Sequence, residues 1–144
     1  MRLALTLAYV VFLAGCDLVV GVGDLNKQLA NKFELGRNEV AISYQSSSGK
    51  KSNKVDLTIS FLNTRFSDVN ESARFDIANE SAELAAESIG LASDSRIVVL
   101  FIDIEKILGL IPKGMNVVSE HKYVVNDGGF VKNTPNKRLQ PTGG

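Results

Sequence analysis

The sequence predicts an α+β domain: a two-layer sandwich, with two helices on one face of a four-stranded, mostly antiparallel sheet. Three observations carry this expectation. Two segments repeat apolar residues at helical spacing, four others carry strand signatures, and they follow one another in the order α-β-β-α-β-β. At 144 residues the chain is long enough for one domain with a tail at each end.

The first helical pattern begins at Asp24, in DLNKQLANKFELG. Leu25, Leu29 and Phe33 fall four apart on one face. Asp24 suits an N-cap and Gly36 a C-terminal stop. Two strands follow. NEVAISYQ alternates Val40, Ile42 and Tyr44 with polar or small residues, and KVDLTISFL alternates Val55, Leu57, Ile59 and Phe61 with Asp56, Thr58 and Ser60. Period two over that length signals half-buried strands. The polar stretch SSSGKKSN between them makes a long-looped hairpin.

A second helix is expected from about Asn70 to Ile89, with Asp68 and Glu71 at capping-box spacing. Phe75, Ala78, Ala82, Ala85 and Ile89 form its apolar stripe, and Gly90 ends it. The alanines suit close packing against a sheet. RIVVLFIDI, Arg96 to Ile104, is nearly all apolar and reads as a central strand covered on both faces. IEKILGLIP, ending at Pro112, reads as a short helix or an apolar loop, and MNVVSEHKYVV as the last strand. Asn126 to Gly129 is a turn signal. The domain is therefore expected over 24–125, with a flexible tail over 126–144.

Composition narrows the functional classes. The chain has 16 basic and 16 acidic residues, so no nucleic-acid partner is expected. Cys16 is its one cysteine, which excludes an internal disulfide and a Cys-rich zinc site. His121 is its one histidine, which argues against a His-based metal cluster. No cofactor, metal site or catalytic set is expected.

The first sixteen residues are distinctive. Met1-Arg2 is a short basic start, LALTLAYVVF from Leu3 to Phe12 is uncharged, and Leu13-Ala14-Gly15-Cys16 closes the run. The run is shorter than the roughly 20 apolar residues of a spanning helix, and its parts are those of a secretory signal. Leu13-Ala14-Gly15-Cys16 resembles the lipobox of bacterial lipoprotein precursors. The resemblance covers this segment alone. It implies cleavage before Cys16, a diacylglyceryl group on its thiol, further acylation such as palmitate on its amino group, and a role for Leu13, Ala14 and Gly15 in recognition by the protease. Residues 1–15 would be the signal peptide, and 16–23, with the glycine-broken LVVGVG, a lipidated tether. Asp17 resembles the residue that, in enteric bacteria, keeps lipoproteins on the periplasmic side of the inner membrane; a solvated acid at the start of a linker is the alternative.

Other candidates are weighed against plainer readings. SSSGKKS lacks the first glycine and the Ser/Thr of a phosphate loop, and it lies between strands. Its lysines Lys50 and Lys51, with Lys54, suit at most weak contacts with anions or lipid headgroups. Asp76, Glu80, Glu83 and Glu87 fall on one side of the second helix: a basic partner surface, or a solubilising face in water. His121 has no nucleophile motif beside it and reads as an ordinary strand histidine. Ile104, Ile107, Leu108, Leu110 and Ile111 form an apolar patch. It would cover the open sheet face, where Ile97, Val99 and Phe101 would point if their neighbours face the helices, or meet a partner or bilayer.

The expected function is thus a small membrane-anchored envelope lipoprotein with a binding or accessory role, not an enzyme, that meets an envelope protein. The alternatives are a carboxylate-based envelope hydrolase and a protein acting on membranes through Ile104 to Ile111.

Overall fold

The computed structural model describes residues 18–49, 52–107, 111–129 and 131–134. Helix α1 covers residues 18–32. Strands β1 (Val40–Gly49) and β2 (Ser52–Leu62) follow, then a 3-10 turn (Arg65–Ser67) and helix α2 (Glu71–Ile89). Strands β3 (Arg96–Ile107), β4 (Ile111–Val125) and β5 (Val131–Thr134) complete the chain order. The expected α+β sandwich and the order α-β-β-α-β-β hold, and β5 adds a short fifth strand.

The sheet order is β1-β2-β3-β4-β5. All neighbours are antiparallel except β2 and β3. A parallel pair needs a crossover, and α2 supplies it. Because β2 and β3 run the same way, the β1–β2 and β3–β4 hairpins project from opposite ends of the sheet.

One core lies between sheet and helices. Leu25 and Leu29 of α1, Ala78, Ala82 and Ala85 of α2, and Ile59, Phe61, Ile97, Val99 and Phe101 of the sheet are fully buried. Each large apolar side chain so buried contributes roughly 1.5–3 kcal/mol. The small alanines let α2 lie close to the strands. Phe61 stacks on Phe101 at 5.2 Å, and Phe33 and Phe66 meet Phe61 edge-on at 5.9 and 5.6 Å.

Several expectations are corrected. Ile97, Val99 and Phe101 face the helices, not the open face, which takes their neighbours Val98, Leu100 and Ile102. Residues 18–23 are the first turns of α1, not a tether. Val22 joins Leu25 and Leu29 against the core, and Gly21 lies beside Ile89. The helix stops before Gly36. Glu34 takes the left-handed conformation (φ 52°), and the Leu35 N–H donates to the Ala30 carbonyl at 2.8 Å. The N-cap of α2 is Asn70, not Asp68: its side chain accepts from the Ala73 N–H at 2.8 Å. Gly90 ends that helix in the left-handed region, as expected.

The other corrections concern the hairpins. IEKILGLIP continues β3 to Ile107 and begins β4 at Ile111 instead of forming a helix or loop. Leu108 and Leu110 lie outside the described residues. Within the segment expected to be tail, Gly128 and Gly129 both adopt positive φ, the Gly129 N–H donates to the Asn126 carbonyl, and Val131 pairs back on Val125. The domain thus runs on to Thr134.

Candidate functional site

Leu13, Ala14, Gly15, Cys16 and Asp17 lie outside the described residues. What the structure does place is where a chain leaving them enters the domain. Gly21 lies beside Ile89 at the end of α2, while Phe33, past the end of α1, meets Phe61 and Phe66. Helix α1 therefore starts at the β1–β2 hairpin end of the sheet. The β3–β4 hairpin, with Ile104 and Ile111, projects from the other end.

Asp76, Glu80, Glu83 and Glu87 are all exposed on the outer side of α2. Glu80 leans towards α1 and pairs with Lys32 at 3.1 Å. Glu83 leans the other way, and its charge helps to hold the Tyr123 hydroxyl protonated.

Beneath α2 runs a polar row. The alternation of β4 puts Ser119, His121 and Tyr123 on its helix-facing side. Ser119 Oγ, His121 Nε2 and Tyr123 OH are buried without a hydrogen-bond partner among the described residues. A buried polar atom left unpaired costs about 1–3 kcal/mol. The imidazole is gripped edge-on by Phe75 and Phe101, at 5.9 and 6.0 Å between ring centres. Its Nε2 lies 3.5 Å from Glu71 Oε1. Burial pushes the His121 pKa down; Glu71 opposes that and Arg74 reinforces it. Burial also pushes the Tyr123 hydroxyl far up, with Glu83 adding to the effect.

Arg74 organises this end of α2. Its guanidinium meets Glu71 Oε2 at 3.0 Å and donates to the carbonyls of Ser67 (3.0 Å) and Val69. It ties the turn after β2 to the first turn of α2, and so sets where Glu71 faces His121. Chemically, burial favours the neutral form of the imidazole in this row. Ser119 and His121 share no hydrogen bond, so no nucleophile is aligned with a base. Among the described residues, no three His, Cys, Asp or Glu side chains converge to hold a metal.

A second feature is an open cleft of about 340 Å³ between α1 and β1. Val22, Gly23, Asn26 and Ile42 line it, with Lys27 and Arg37 among its walls. The third is the open face of the sheet. Val98 and Leu100 on β3 are half-buried there and Ile102 is buried, while Met115 and Val117 on β4 are 70% and 51% exposed.

Sequence reasoning missed Arg74 and treated His121 alone. The spacing of Ser119, His121 and Tyr123 by two was the available signal. Compared with protein-family models, curated proteins and solved structures, the chain matches none. No helix among the described residues is long and apolar enough to cross a membrane.

Proposed function

We propose that this chain is a lipid-anchored protein of the bacterial envelope whose folded domain binds another envelope component. The observation that carries the reading is the sequence Leu13-Ala14-Gly15-Cys16 at the end of an uncharged run that follows a basic start. Cys16 takes the diacylglyceryl group, and acyl chains on its thiol and amino group hold the chain at a membrane. One chain binds only marginally, whereas two or more bind durably. Asp17 places it on the periplasmic side of the inner membrane where the enteric sorting rule operates.

Binding, not catalysis, is the role the surface favours. The polar row under α2 is closed and holds no aligned nucleophile. The acidic stripe Asp76–Glu80–Glu83–Glu87 is exposed, and so are Met115 and Val117 on the far face of the sheet. The end of β3 with Ile104 and the start of β4 at Ile111 lie at the end of the sheet opposite to the start of α1. That supports a protein contact there over direct action on the anchoring bilayer.

The test is expression of the full chain in a bacterial host fed an alkyne-bearing palmitate, with mass spectrometry of the mature N-terminus. Labelled protein beginning at a modified Cys16 is expected, and Cys16→Ser should lose both label and membrane retention. A mature chain that is unlabelled, or retained unchanged after Cys16→Ser, overturns the reading.

A further inference from the structure

Apolar exposure on helix α1 is confined to its first turn. Val19 and Val20 are 57% and 61% exposed, whereas Leu25 and Leu29 are buried. After Val20 every exposed residue of α1 is polar or glycine. Among the described residues, the other large apolar side chains more than half exposed are Met115 and Val117, on the far face of the sheet.

Helical spacing sets the direction of the two valines. Leu25 and Leu29 mark the side of α1 that meets the core. At about 100° per residue, Val20 lies on the opposite side and Val19 on the flank beside it. Side chains on a helix lean towards its N-terminus, so both isopropyl groups are turned outwards and back towards Asp17. Asp24 stands one turn after Val20 on the same side and meets Lys27 at 3.8 Å. The apolar surface therefore ends within one turn.

The chain before the valines decides what covers them. Cys16 is three residues before Val19 and four before Val20, so even an extended chain holds them within about 11 and 14 Å of its Cα. Acyl chains on Cys16 would enter hydrocarbon directly. A helix at a membrane surface sinks its apolar side roughly 5–10 Å into the boundary between headgroups and acyl chains. The first turn of α1 is within that reach. The β1–β2 hairpin lies at the same end, but its exposed residues Gln45, Ser46 and Ser47 are polar and offer hydrocarbon nothing.

We propose that Val19 and Val20 enter the bilayer beside the acyl chains of Cys16, so that the first turn of α1 is a second membrane contact. The start of α1 then faces the membrane, and Ile104 and Ile111, at the other end of the sheet, are held away from it. The contact is apolar and needs no anionic lipid. This inference rests on the lipid proposed for Cys16 and adds the surface that the folded domain turns to the bilayer.

The test uses the full chain, matured in a bacterial host and reconstituted in phosphatidylcholine vesicles that contain a spin-labelled lipid. Fluorophores are placed on Gly23→Cys, one turn after Val19, where an added Cβ meets nothing within 4 Å, and on Met115→Cys near the opposite end of the sheet. The sulfur of a lipidated Cys16 is a thioether and takes no label. Quenching should be about twofold or more at position 23 and slight at position 115. Val19→Asp combined with Val20→Asp should abolish quenching at position 23, while flotation with the vesicles persists through the acyl chains. Both valines are exposed and acids suit the first turn of a helix, so circular dichroism should stay unchanged. Mass spectrometry of the same samples reports the state of Cys16. Lipidated protein without quenching at position 23 overturns the docking and leaves the anchor standing. So does quenching that is equal at the two positions, or that survives the aspartates. An unmodified Cys16 overturns the anchor and this proposal together.

Discussion

His121 Nε2 lies 3.5 Å from Glu71 Oε1, inside a slot walled by Phe75 and Phe101. Carboxylate and aromatics pull the imidazole in opposite directions, and burial wins: the folded pKa lies below 6.5. The unfolded chain then binds more protons in the window below 6.5 and above the folded value. Stability is full above pH 6.5 and falls as pH drops through that window. Urea titrations from pH 8 to pH 5 should show the loss, and His121→Phe, which keeps the aromatic contacts, should flatten it. An unchanged slope in the variant would place the titrating group elsewhere.

The Tyr123 hydroxyl is buried and has no hydrogen-bond partner among the described residues. Tyr123→Phe removes the desolvation cost while keeping the ring, so thermal unfolding should shift upward, by about 1 kcal/mol in stability. A loss of that size would mean that the hydroxyl is satisfied in solution.

Arg74 should be among the most sensitive polar positions. Its side chain is only 11% exposed and serves Glu71 and several carbonyls together. Arg74→Met should cost about 2–4 kcal/mol, since it strands those acceptors. Arg74→Lys should recover only part, because an ammonium cannot fork. Chemical denaturation of the three proteins orders them.

Asn63 combines a positive φ of 51° with a side-chain bond to the Ile104 N–H. Asn63→Gly keeps the conformation and loses the bond; Asn63→Ala loses both. The glycine variant should fall about 1 kcal/mol below the parent, and the alanine variant about 1 kcal/mol further. Equal losses would show that backbone strain contributes nothing at this turn.

Glu34 closes α1 in the left-handed region with no comparable side-chain bond among the described residues. Glu34→Gly should stabilise the fold by up to about 1 kcal/mol, read from the denaturation midpoint.

The apolar parts of β1 and β2 were legible because one face is wet, so polar and apolar residues alternate; the polar stretch expected as a long loop instead extends the ladder, with Ser46 to Gly49 pairing with Val55 to Ser52. The side that β3 turns to the core was not. Arg96 to Ile104 is apolar on both faces, and only packing against α2 selects Ile97, Val99 and Phe101. The first turns of α1 were hidden by Gly21 and Gly23, which lower helix propensity. β5 is four polar or small-apolar residues whose pairing depends on the glycine turn before it. The polar row was present as Ser119, His121 and Tyr123, but its burial is decided by the position of α2. Arg74 sat unnoticed in a helix otherwise read for its acids and alanines.

The early start of α1 would leave the proposed anchor a short leash. Only Asp17 separates Cys16 from Leu18, and two peptide units span at most about 7 Å. With the lipid proposed on Cys16, a domain moored that tightly could not roam in search of a target. Whatever it recognised would have to come to the bilayer or already reside there, and every encounter would become a search in two dimensions.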